Sequence, residues 1–145
     1  MKTMDKRAII SIISNSSIED ADTIEVVSPG QYIKLDKGYK AIYEETELSG
    51  MEGTTTTLTI RDEEVILERE GTTTTKMVFN EDEPSVSLYN TPYGMLEITV
   101  STSDLYVDMD DDGGELKIEY DMAIAGQMPM NTSLTLKVKT QEKNN

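Results

Sequence analysis

The side chains best placed to do chemistry in this chain are one arginine, a few tyrosines and an acidic run. The usual catalytic groups are missing, since the sequence contains no His and no Cys. That excludes a Ser–His or Cys–His nucleophile pair, an imidazole base and the common zinc ligand sets. Arg69 shares strand parity with Val65 and Leu67, which should point inward. A buried guanidinium needs an anion. Either a small amphipathic ligand supplies it inside the fold, or Arg69 reaches the rim from its strand end and pairs with a nearby acid. Tyr39 and Tyr43 fall on one face, and Tyr120 lies within an apolar face. Their rings suit a packed core, and equally a cavity wall on which hydroxyls orient a ligand. Tyr43, Arg69 and Tyr120 are therefore the candidate ligand-binding residues.

The acidic run is the sharpest motif. Asp108-Met109-Asp110-Asp111-Asp112-Gly113, with Glu119 after five intervening residues, satisfies the calcium-loop spacing D-x-D-x-D-G-x₅-E. Asp108, Asp110 and Asp112 are thus candidate Ca²⁺ ligands. The context argues for something plainer. Both flanks alternate as strands where an EF-hand needs helices, and Glu115 stands where the loop has its apolar residue. An acidic hairpin turn, with Gly113-Gly114 supplying positive φ, accounts for the same residues. Glu44, Glu45, Glu47, Glu68 and Glu70 offer carboxylates for glycoside hydrolysis, but that reaction needs two inward acids at a defined separation. With 28 acidic residues, chance proximity carries no weight. The expectation is a protein that is not an enzyme and uses no cofactor.

These residues must be positioned by strands. Leu96, Ile98 and Val100 interleave with Glu97, Thr99 and Ser101, and Leu116, Ile118, Tyr120, Met122 and Ile124 interleave with Lys117, Glu119, Asp121 and Ala123. Successive side chains on a strand face opposite ways, so each run has one dry and one wet face. Strands are expected at Arg7–Ser14, Thr23–Ser28 (stopped by Pro29-Gly30), Gln31–Leu35, Tyr39–Leu48, Val65–Glu70, Ser85–Asn90, Met95–Thr102, Leu105–Met109, Glu115–Ile124 and Thr132–Thr140. A Thr-rich echo, Gly53–Ile60 answered by Gly71–Phe79, brackets Val65–Glu70 as a three-stranded meander. Polar connections fall at Asn15–Asp22, and turns at Ser49–Gly53, Thr91–Gly94 and Ala125–Pro129. No segment has a helical period. Many short antiparallel strands mean a sandwich or a barrel, and the barrel also removes exposed edges.

Composition bounds the function further. A length of 145 residues suits one domain, with a core over about residues 7–140 and a polar tail at 141–145. The formal net charge of −15 opposes nucleic acid and anionic membrane surfaces alike. Lys2, Lys6 and Arg7 precede only a short apolar run, Ala8–Ile13, broken by Ser11, so neither a secretory signal nor a membrane helix is expected. A reducing cytoplasm is the expected location.

Several ordered motifs carry a family resemblance. Tyr43-Glu44-Glu45, then Val65 and Leu67 leading to Arg69 and Gly71, then Thr91-Pro92-Tyr93-Gly94 with Leu96-Glu97-Ile98, then Gly114-Glu115-Leu116 running into Tyr120-Asp121-Met122, resemble the YwiB-like family of small bacterial proteins of unknown function. The resemblance runs from about Arg7 to Lys139. It implies an antiparallel, mostly up-and-down, calycin- or lipocalin-like barrel, and it implies no activity or catalytic residue. Some fatty-acid-binding relatives of that fold hold a ligand carboxylate on an interior arginine, which would give Arg69 a role. Two functions follow as expectations. One is a barrel that binds a small hydrophobic or amphipathic ligand. The other is a barrel filled by its own side chains that acts through its surface on a protein partner or as a homodimer.

Overall fold

In the computed structural model the wet-and-dry alternation becomes an antiparallel barrel wall. Residues 5–16, 24–45, 52–71, 74–91, 94–126 and 128–141 are described. Much of the expected Asn15–Asp22 connection lies outside them. So do the far end of the strand expected over Tyr39–Leu48, parts of the turns at Ser49–Gly53, Thr91–Gly94 and Ala125–Pro129, and nearly all of the tail. The strands are β1 (Asp5–Ser16), β2 (Ile24–Leu35), β3 (Gly38–Glu44), β4 (Thr55–Ile60), β5 (Val65–Glu70), β6 (Thr75–Phe79), β7 (Ser85–Thr91), β8 (Gly94–Asp110), β9 (Gly113–Ile124) and β10 (Met130–Thr140). No helix occurs among the described residues, and none is long and apolar enough to cross a membrane.

Each strand pairs with its sequence neighbour, except that β1 pairs with β10 and the β6–β7 step carries no ladder. The order is β6-β5-β4-β3-β2-β1-β10-β9-β8-β7. The sheet rolls into a nearly closed barrel in which β6 lies beside β7 and β8 at the seam. Odd-numbered strands all run one way, so their C-terminal ends share one end of the barrel, here called the upper end. The opposite end is the floor.

Two expected breaks are not breaks. The segments Thr23–Ser28 and Gln31–Leu35 form a single strand, β2, that runs through Pro29-Gly30. Proline lacks an N–H, but the β2–β3 ladder begins only at Gly30, so no β3 residue is paired opposite Pro29. Gly30 permits a close crossing. A Cβ there would sit 2.3 Å from the Ile42 carbonyl oxygen and 2.6 Å from Ile10 Cδ1. Likewise Met95–Thr102 and Leu105–Met109 belong to one strand, β8, with a register shift between Thr102 and Asp104. The apolar residues switch from even positions (Ile98, Val100) to odd ones (Leu105, Val107, Met109). Only a bulge keeps both sets on the inside of one continuous strand.

Register explains how the interior is layered. Across β3–β6 one row joins Tyr39, Ile60, Val65 and Phe79 near the floor, and the next joins Ala41, Leu58, Leu67 and Met77. All of these except the half-buried Tyr39 are buried. Ile10, Tyr32, Val100, Leu116, Ile118 and Leu136 complete the core from the other wall. The lower barrel is therefore filled by side chains, as small barrels commonly are.

The floor is closed by the β8–β9 turn. Tyr32 Oη donates to the Asp110 carbonyl at 2.7 Å, and Tyr39 Oη donates to Asp111 Oδ1 at 2.7 Å. The two rings stack at 4.9 Å with 9° between their planes. Lys6 Nζ donates to the Asp111 carbonyl at 3.0 Å, and Lys34 Nζ lies 3.3 Å from Asp111 Oδ1. The hydrogen bond to Asp111 is the chief cause that pushes the Tyr39 hydroxyl up from 10.0 to about 12, and the same bond holds the Asp111 carboxyl below its usual 3.8. The signs of the linkage follow. A raised phenol contributes stability that is full below pH 10 and is lost as pH climbs toward 12. A depressed carboxyl contributes stability that is present above pH 3.8 and is lost below it. Tyr39→Phe should therefore reduce the loss of stability at both extremes while leaving the intervening pH profile parallel to wild type. Urea midpoints measured from pH 3 to pH 11.5 check this, and unchanged slopes at both ends would show that the turn is not latched this way.

Candidate functional site

Above the two apolar rows comes a polar one. Tyr43, Thr56, Arg69 and Thr75 are consecutive cross-strand partners on β3, β4, β5 and β6. Strand parity turns all four inward, because they are two residues along from Ala41, Leu58, Leu67 and Met77. Tyr43, Thr56 and Thr75 are buried, and the Arg69 side chain is 19% exposed. Glu45, just beyond β3, continues the same face. Its N–H donates to the Thr54 carbonyl at 2.8 Å, which holds the chain in register past the strand end.

This backbone bond carries the Glu45 carboxylate into the barrel, where its side chain is only 2% exposed. The Thr56 hydroxyl donates to Oε2, and Arg69 Nε lies 3.6 Å from the same oxygen. That contact is ionic without being a hydrogen bond, for Arg69 Nε is buried and has no hydrogen-bond acceptor. Burial pushes the Tyr43 hydroxyl well above the ordinary tyrosine range. The Glu45 charge pushes it further, against a smaller opposing pull from Arg69. Tyr120 is also raised by burial, and the Arg69 charge partly offsets the shift. Both phenols thus stay protonated near neutral pH and can serve as hydrogen-bond donors.

The opposite wall is different. Tyr120 on β9 packs its ring on Phe79, with centroids 4.8 Å apart and planes at 57°. Beyond it on the same inward face, Met122 and Ile124 are only partly buried, and Ile98 on β8 is buried. Ile98 is paired with Ile124, and Val100 with Met122. The upper end therefore sets a polar arc, on β3–β6, across from an apolar arc on β8 and β9.

The sequence candidates divide cleanly. Tyr43, Arg69 and Tyr120 come together at the upper end, where the Arg69 charge acts on both phenols. Arg69 points inward, as its parity required, and its anion is an acid of the protein itself. Asp108, Asp110 and Asp112 do not converge. Asp108 accepts from Tyr106 Oη at 3.4 Å, Asp110 Oδ1 accepts the Asp112 N–H at 2.8 Å, and Asp112 Oδ1 lies 3.5 Å from Lys6 Nζ. No group of three or more potential ligands gathers around one point among the described residues. Gly113 and Gly114 have φ of 119° and 148°, as an acidic hairpin turn demands. Glu45, named from the sequence only as one carboxylate among several, is the residue whose inward role the sequence reading missed. It shares odd parity with Tyr39, Ala41 and Tyr43, which was the available signal.

Comparison with known proteins places this barrel. Residues 9–136 match the family described as Domain of unknown function (DUF1934). The chain belongs to that family. It is 26% identical over 137 residues to the Uncharacterized beta-barrel protein YwiB of Bacillus subtilis (strain 168), spanning 92% of this chain and 94% of that protein. The crystal structure of ywiB protein from Bacillus subtilis superposes with a TM-score of 0.84 at 20% identity, covering 95% of this chain and 94% of that one. At that identity the likeness carries the barrel fold alone. The family description assigns no activity.

Proposed function

We propose that this protein binds a small amphipathic molecule at the upper end of the barrel, in the manner of a lipocalin-like carrier or sensor. One observation carries the reading: the polar row Tyr43–Thr56–Arg69–Thr75, with Glu45, lies on the inward face of β3–β6 at the same end of the barrel as the partly buried Met122 and Ile124 of β9. A binding site for an amphiphile needs a few convergent polar groups set against apolar walls. The ligand's polar end rests on Arg69, Tyr43 and Tyr120, and its apolar part lies along β8 and β9. Binding, rather than catalysis, suits a chain without His or Cys. The absence of Cys also suits a reducing cytoplasm, and the charge of −15 suits a partner that is neither nucleic acid nor anionic lipid surface. Native mass spectrometry of protein purified from its own host tests the reading. A stoichiometric added mass, together with a melting temperature that falls when the ligand is stripped, is the expected result. No added mass, and no thermal shift across a panel of amphiphiles, would refute it.

A second reading has its own support. Val86, Leu88 and Met95 are 62%, 58% and 60% exposed on the β7–β8 hairpin. Apolar exposure of this kind suits a barrel that works through its surface on a protein partner or a second copy. In that case Val86→Lys with Leu88→Lys would abolish the association and leave amphiphile binding unchanged.

A further inference from the structure

We infer that the polar end of the ligand carries no net charge. The inference rests on the ligand reading above and narrows it to a chemical class. An interior arginine by itself would favour a carboxylate. Here the protein has already supplied the carboxylate: Glu45 Oε2 lies 3.6 Å from Arg69 Nε, with its side chain 2% exposed and the Thr56 hydroxyl donating to it. The pair sums to zero charge. A bare anion brought to Arg69 would stand beside the buried Glu45 carboxylate, where like charges repel more than in bulk solvent. A bare cation would meet the Arg69 guanidinium in the same way.

The groups left to recognise a ligand are donors of a neutral site. Arg69 Nε is buried and lacks an acceptor, and it can donate to an uncharged oxygen. The Tyr120 hydroxyl stays protonated, whereas that of Tyr43 is already engaged with Glu45 and helps hold the internal pair. A head group that offers hydroxyl, ester, amide or other net-neutral oxygens satisfies these donors without adding charge. The recognised class is thus a neutral or zwitterionic amphiphile, such as an acylglycerol, rather than a free fatty acid.

Glyceryl monodecanoate and decanoate test this directly, because they share one tail and differ in the head. Calorimetric titration below their micellar concentrations, near neutral pH, should show the wild-type protein binding the ester at least about tenfold more tightly than the acid. Glu45→Gln removes one charge and keeps the side chain's shape. It frees the Arg69 charge and should reverse the preference, with decanoate the tighter by about tenfold. Decanoate binding to wild type as tightly as the ester would overturn the head-group inference while leaving the ligand site standing. Binding of neither probe would refute the ligand site itself. The wild-type comparison decides the matter even if Glu45→Gln folds poorly.

Discussion

Replacing Arg69 by Met is expected to destabilise the barrel by about 3 kcal/mol or more, the cost of leaving a buried charge without its partner. The stranded group is Glu45, whose side chain is 2% exposed and keeps the neutral Thr56 and Tyr43 hydroxyls but loses its one cationic partner among the described residues. The reverse change should be milder. Glu45→Gln leaves Arg69, which is 19% exposed and can turn its long side chain toward water, so a loss of about 1 kcal/mol is expected. The combined Arg69→Met/Glu45→Gln protein should recover about 2 kcal/mol relative to the sum of the single changes. Urea denaturation of the four proteins measures all of these values. Equal costs for the two single changes, or full additivity, would mean that the pair is not the buried, asymmetric contact described.

Phe79→Ala should cost about 3–5 kcal/mol, as aromatic truncations in closed cores do. Phe79 is fully buried at the floor row, between β5 and the seam, and its ring contacts Tyr120 on the far wall. It joins the two walls where no backbone ladder does, because β6 and β7 are not paired. Its loss removes both the transfer free energy and an aromatic contact worth about 1 kcal/mol. Phe79→Leu refills most of the volume and should cost about 1.5 kcal/mol at most. The Ala variant should also loosen Tyr120 and weaken binding of glyceryl monodecanoate, whereas the Leu variant should bind it nearly as well. A Phe79→Ala protein as stable as wild type would show that the seam is held shut by something else.

Much of this architecture was legible because a barrel wall writes period two into the chain. Parity alone put Leu58, Ile60, Val65, Leu67, Ile118 and Leu134 inside, and all are buried. It also brought Arg69 inward beside Tyr43 and Tyr120. The misses have local causes. Pro29-Gly30 carries the signature of a stop, yet here it marks the point where β2 leaves the β3 ladder and its wall passes close to Ile42 and Ile10. The change of apolar parity between Val100 and Leu105 predicts two strands, since a bulge and a short break leave the same trace in one sequence. Glu45 was lost among many acids, because its burial depends on a backbone bond to Thr54 just past the strand end. The partners of Asp111 were invisible for a different reason. Lys34 and Tyr39 lie more than seventy positions earlier in the chain, and only closure of the sheet through β1 and β10 brings them together. Local motif spacing pointed to a calcium loop there, whereas long-range pairing made the same acids a latch.

Mapping of backbone amide shifts by two-dimensional NMR, as glyceryl monodecanoate is added, tests the central claim most directly. Saturable shifts are expected at Tyr43, Glu45, Thr56, Arg69, Tyr120, Met122 and Ile124, with little movement at Tyr32, Tyr39 or Asp111 on the closed floor. Shifts confined to the outer face around Val86 and Leu88, or no saturable shifts at all, would contradict it.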